Sequence, residues 1–181
     1  MARSLYRDDG VVALRCTKKL LRRLRATTPA EARPPSTALG DWYATILHTH
    51  PRHLILCVSE RALLSVILPA RELNTLTSRF HAAVKEHLLA IGASPQAVAR
   101  EMAGMQEIEL GSTMSKSVLG SLRERTFAVE FELPRGRFST LEELQLYLST
   151  YIMGAIGMRY PREAALELLR DPQRMDQKGR G

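Results

Sequence analysis

Residues 54–68 read Leu54-Ile55-Leu56-Cys57-Val58-Ser59-Glu60-Arg61-Ala62-Leu63-Leu64-Ser65-Val66-Ile67-Leu68, and the fold turns on this stretch. Two almost wholly apolar runs flank the short link Ser59-Glu60-Arg61-Ala62. Such runs form strands covered on both faces, so the segment predicts an antiparallel hairpin buried at the centre of a sheet.

Upstream, Val11-Val12-Ala13-Leu14-Arg15-Cys16 is short, apolar and β-branched, which predicts a further strand. Thr17 can cap a helix over Lys18–Arg25, in which Leu20, Leu21 and Leu24 form one apolar stripe. Pro29, Pro34 and Pro35 make 27–36 a loop. Ser36 or Thr37 then caps a predicted helix running to Thr49, with Leu39, Trp42, Tyr43, Ile46 and Leu47 as its buried face.

Downstream, Leu76, Phe80, Val84, Leu88 and Ile91 recur at helical spacing and predict a helix over 75–91. Gly92 suits a left-handed stop, and Ser94-Pro95 suits the cap and first position of a helix that turns Val98, Met102 and Met105 inward. In 106–110, Ile108 and Leu110 alternate with acids, the pattern of a strand. Residues 115–133 are read as a helix on Val118, Leu122 and Val129, although 129–133 alternates like a strand. Thr140 followed by Glu143 is a capping-box signature for a helix burying Leu141, Leu144, Leu148, Tyr151 and Ile152 and reaching about 157. A last helix starts near Pro161. The predicted fold is α+β: a small antiparallel sheet of strand 11–16 and hairpin 54–68, with 106–110 as a further candidate strand, under about six helices. One domain, 11–170, lies between a disordered lead (1–10) and a frayed polar tail (171–181).

The chain has 181 residues, 45% hydrophobic and 25% charged, enough for one domain with a sizeable core. No apolar run approaches the ~18 residues of a membrane span, and the N-terminus lacks the pattern of a secretory signal. Cys16 and Cys57 cannot build a disulfide scaffold. A cytoplasmic protein with no membrane partner is the expectation.

Net charge is +7, and it is unevenly spread. Residues 1–25 hold eight basic residues against Asp8 and Asp9, a net of +6, whereas 26–158 is nearly neutral. A segment of this kind attracts phosphates and lets go as salt rises. The competing reading is a solvated helix face that aids solubility.

His48, His50 and His53 are closely spaced but lack the usual zinc companions, so no metal site is predicted. Cys16, ahead of Lys18 and Lys19, is either an activated thiol or a buried structural one, and the second reading is preferred. Asp41, Glu60 and Glu101 are candidate acid–base groups without a shared spacing, and neither Ser117 nor Ser121 sits in a nucleophile elbow. No catalytic residue and no cofactor is therefore predicted. The stronger constellation lies at element ends: Thr17, Lys18 and Lys19 with Arg22 and Arg23; Asp41 beside Trp42 and Tyr43; Glu60 and Arg61 at the hairpin tip; Lys116 and Ser117 at a helix start. Brought together they would form an anion-binding cleft with an aromatic wall, suited to a nucleotide or a single strand. Otherwise each is a cap, a turn or a core aromatic.

The order Arg15-Cys16-Thr17-Lys18-Lys19-Leu20-Leu21, Leu39-Gly40-Asp41-Trp42-Tyr43-Ala44, Glu60-Arg61 and Ser117-Val118-Leu119-Gly120-Ser121 resembles a bacterial family of small proteins described as a domain of unknown function. The resemblance spans roughly 11–170 and implies a bacterial or phage cytoplasmic protein. It directs attention to Thr17, Lys18, Lys19, Asp41, Trp42, Glu60, Arg61 and Ser117. Members often carry Asn before the Glu-Arg pair and Asn-Asp after the Gly-Ser, where this chain has Ser59 and Arg123-Glu124, so a site built on those side chains is altered here.

Three function classes follow. The first is a non-enzymatic module that binds nucleic acid or another polyanion, as a regulator or half of a toxin–antitoxin or defence pair. The second is an enzyme acting on a nucleotide or phosphorylated substrate, with Asp41 or Glu60 as general base and Lys18, Lys19 and Arg61 as anion clamp. The third is a protein–protein adaptor or homodimeric scaffold using the apolar helix 140–157. No oligomeric state follows from the sequence.

Overall fold

The computed structural model describes residues 10–29 and 31–170; the expected lead and tail lie outside them, apart from Gly10. Five strands, β1 (Val11–Cys16), β2 (Trp42–Leu47), β3 (Leu54–Ser59), β4 (Ser65–Pro69) and β5 (Glu107–Ser112), form one sheet in the order β4-β3-β2-β1-β5. Six α-helices accompany them among the described residues: α1 (Lys18–Leu24), α2 (Leu76–Ala90), α3 (Pro95–Ala103), α4 (Lys116–Glu132), α5 (Leu141–Ser149) and α6 (Pro161–Arg170). The fold is α+β. No helix among these residues is long and apolar enough to cross a membrane.

The sheet is mixed rather than antiparallel. β1 runs parallel to both β2 and β5, while β2, β3 and β4 are antiparallel. The predicted hairpin is β3–β4, but it fills one side of the sheet, with β2 at the centre. Its outer edge is closed by side chains: Gln145 Oε1 accepts from the Ile67 N–H at 2.6 Å, and an Arg79 Nη1–H donates to the Pro69 carbonyl at 3.0 Å. With Pro69 lacking an N–H, little of that edge is left to pair with another strand.

The predicted helix over 36–49 is instead a turn followed by β2. Every residue from Trp42 to Leu47 is buried, which a helix with one apolar face does not achieve. Alternation then divides the strand between two cores. Trp42, Ala44 and Ile46 join Val12, Leu14 and Cys16 on the face covered by α1, α2, α3 and α6. Tyr43 and Leu47 lie on the other face, under α4 and α5. Trp42 meets Phe80 edge-on, with centroids 5.4 Å apart, a contact worth about 1 kcal/mol beyond burial.

Local signals hold at several ends. Gly92 takes φ +95°, and the Ser94 hydroxyl accepts from the Ala97 N–H. The Thr140 hydroxyl accepts from the Glu143 N–H at 3.1 Å, while the Glu143 carboxylate reaches back to the Ser139 N–H at 2.7 Å. α5 stops at Ser149, so the apolar helix expected to reach 157 does not exist. Tyr151 and Ile152 sit exposed beyond its end.

Candidate functional site

Arg15 occupies the last turn of the pleat in β1, side by side with Tyr43 of β2 and Gly111 of β5. A cation in an otherwise apolar, fully buried strand needs a partner. Asp41, just before β2, supplies it: its Oδ2 accepts from Arg15 Nε at 2.7 Å and lies 2.6 Å from Nη2. Oδ1 accepts from the Ala13 N–H at 2.9 Å, and Arg15 Nη1 donates to the Ser112 carbonyl at 3.2 Å. This pair ties all three parallel strands together.

The hairpin tip closes over the pair. Glu60 N–H donates to the Asp41 carbonyl at 2.8 Å and Arg61 N–H to the Leu39 carbonyl at 3.2 Å. The Asp41 N–H donates in turn to Glu60 Oε2 at 3.3 Å. Gly40 makes the approach possible: its φ is +77°, and a Cβ there would stand 2.8 Å from Glu60 Oε2. From the other side, the Ser115 N–H at the start of α4 donates to the Tyr43 hydroxyl at 3.2 Å. Burial raises the Tyr43 pKa, partly offset by that N–H and reinforced by nearby Glu60.

These residues line an open cleft of about 460 Å³, formed by Arg15, Asp41, Tyr43, Glu60 and Ser115 with Met114 and the 32–35 loop. A neighbouring hollow of about 260 Å³ shares Arg15, Arg33 and Met114 and runs over β5. Arg33 pins the loop to β5 through Glu109 and through Glu107 at 2.9 Å. Chemically, the cleft offers one Glu60 oxygen without a partner among the described residues and a tyrosine hydroxyl whose oxygen accepts from the Ser115 N–H. Asp41 is fully engaged and is not a free base.

Of the twelve positions singled out from the sequence, Asp41, Tyr43 and Glu60 converge in this cleft. Trp42 does not: it is fully buried on the opposite face and cannot be a stacking wall. Thr17 does not cap α1 with its hydroxyl, which lies 3.1 Å from that of Thr45. Arg61 turns to the Thr37 and Ala38 carbonyls, both at 3.4 Å. There Glu101 also accepts from the Ala38 and Leu39 N–H groups at 2.8 and 3.0 Å, despite burial that raises its pKa. Lys18, Lys19, Arg22 and Arg23 are exposed along α1, and Lys116 and Ser117 are exposed on the first turn of α4.

Cys16 is no nucleophile; it is fully buried and burial pushes its thiol up to about 12. The sequence reading missed Arg15, Arg33 and Met114 as site residues. The available signal was Arg15 itself, the one charge within Val11–Cys16.

Fold and cleft together define an α+β protein in which three of the polar motif residues, Asp41, Tyr43 and Glu60, meet where three parallel strands reach a hairpin tip. The chain belongs to the family described as a domain of unknown function, DUF6933, whose model matches residues 13–164. No curated protein matches the chain.

Proposed function

We propose that this protein is a non-enzymatic module that binds nucleic acid or a similar polyanion, with α1 as the phosphate-contacting surface. The observation that carries this reading is the density of exposed cations on one short, anchored helix. Lys18, Lys19, Arg22, Arg23 and the capping residue Arg25 are all exposed, and none has an ion-pair partner among the described residues. Leu20 is buried and Leu21 and Leu24 pack against the same core, so the cations ride on a rigid base. Lys18 and Lys19 stand in the first turn, where the helix dipole disfavours positive charge and no acid compensates them. A bound polyanion supplies that compensation. Cytoplasmic residence and a bacterial or phage source complete the reading; both cysteines are free thiols, as a reducing compartment keeps them.

The test is fluorescence anisotropy with labelled single-stranded RNA and duplex DNA over a salt series. Binding is expected to weaken steeply with salt, and replacing Lys18, Lys19, Arg22 and Arg23 by Gln to flatten the log–log slope by about three. An unchanged slope removes the reading.

The cleft favours a second reading, an enzyme acting on a nucleotide or phosphorylated substrate with Glu60 as general base. Its discriminating variant is Glu60→Gln, which abolishes turnover in this reading and leaves polyanion binding by α1 intact.

A further inference from the structure

Helix α4 carries an apolar stripe that nothing among the described residues covers. Phe127 is 71% exposed and Phe131 59% exposed, and they stand one turn apart on the side turned away from Val118, Leu122 and Val129. Gly120 lies on the same stripe, seven residues before Phe127. A glycine in a helix interior is destabilising. A Cβ at Gly120 would meet no atom within 4 Å, so packing inside this chain does not require the glycine. The helix therefore presents two aromatic knobs and one hole. Arg135 covers only the end of the stripe, its guanidinium 4.4 Å from the Phe131 ring centroid.

The flanking charges say what fits. Arg123 and Glu130 are exposed, seven residues apart on one flank, and neither has an ion-pair partner among the described residues. Two copies of α4 packed antiparallel about a two-fold axis bring like flank against like flank. An axis passing beside Phe127 sets Arg123, four residues before it, next to Glu130, three residues after it, of the second copy. Symmetry repeats the pair. The same placement brings Phe131 to within a turn of the open space over Gly120 of the second copy, a knob against a hole. One surface is thus complementary to itself in shape and charge.

We propose that α4 is the homodimer interface of this protein, two copies joining antiparallel through Phe127, Phe131 and Gly120, with Arg123 paired to Glu130 across the axis. A single helix pair lies at the small end of specific interfaces, so the dimer forms in the micromolar range. The interface is independent of the phosphate-binding reading, because α1 packs on the opposite face of the sheet.

Sedimentation equilibrium on the full chain tests it. The wild type is expected to pass from monomer to dimer across micromolar concentrations. Phe127→Asp alters an exposed side chain, keeps the native circular dichroism and weakens dimerisation at least tenfold. Arg123→Glu and Glu130→Arg each weaken self-association, and mixing those two variants, or combining the changes in one chain, restores it. A wild type that stays monomeric throughout overturns the proposal, even if α4 then binds some other protein. So does a dimer that survives Phe127→Asp, or charge reversals that are not rescued by one another.

Discussion

Arg15 sets both its Nε and its Nη2 on a single oxygen of Asp41, at 2.7 and 2.6 Å, with the two side chains only 7% and 3% exposed. The other Asp41 oxygen holds the Ala13 N–H, and the third Arg15 nitrogen holds the Ser112 carbonyl. Every Arg15 side-chain nitrogen and both Asp41 carboxylate oxygens have a partner, so the pair joins β1, β2 and β5 and floors the cleft.

Breaking one side of that pair leaves the other charge buried. Asp41→Asn is therefore expected to cost about 3–5 kcal/mol in urea unfolding. Replacing both residues, Arg15→Met with Asp41→Leu, is expected to recover part of the loss, since no uncompensated charge remains while the Ala13 N–H loses its acceptor. Equal losses in the single and double variants would sink this account.

Gly40 links backbone conformation to the cleft. Gly40→Ala places a Cβ 2.8 Å from Glu60 Oε2 at a backbone φ of +77° that alanine disfavours. The expected cost is about 1–3 kcal/mol, together with displacement of the hairpin tip. Thermal unfolding measures the first, and amide shifts of Asp41 and Glu60 measure the second. A variant as stable as the wild type with unmoved amides contradicts this picture.

His87 makes the fold sensitive to acid. The imidazole is 3% exposed, its Nε2 has no partner among the described residues, and burial lowers its pKa from 6.5 to about 4. The unfolded chain thus binds a proton that the folded chain refuses between those two values. This group's contribution is complete above pH 6.5 and is lost as the pH falls toward 4, by about 3 kcal/mol in all. Denaturant titrations from pH 7 to pH 4 on the wild type and His87→Leu check it. The stability of the wild type relative to His87→Leu is expected to fall by about 3 kcal/mol between pH 7 and pH 4, whichever is the more stable at pH 7; parallel curves refute the assignment.

Much of the secondary structure was legible because its signals are local. The Gly92 stop, the Ser94-Pro95 start and the Thr140 cap each depend on a few neighbouring residues. So do the hairpin and the alternation of 106–110, which the structure shows as the strand Glu107–Ser112. β2 was not legible, because Trp42, Tyr43, Ile46 and Leu47 satisfy helical spacing as well as a strand buried on both sides. Once 42–47 is a strand, alternation alone sends Trp42 to one core and Tyr43 to the cleft.

By itself, then, the sequence determined the elements whose boundaries are written in caps, stops and turn residues, the concentration of charge at the N-terminal end, and the candidate polar positions. Tertiary structure alone decided that β1 runs parallel to β2 and β5, that Asp41 is spent on Arg15, and that Glu60 and Tyr43 share a cleft. Caps and turns act over three or four residues, whereas strand direction and charge pairing depend on segments brought together from 26 to 97 positions apart. Only the free energy of the whole packed core selects among those pairings.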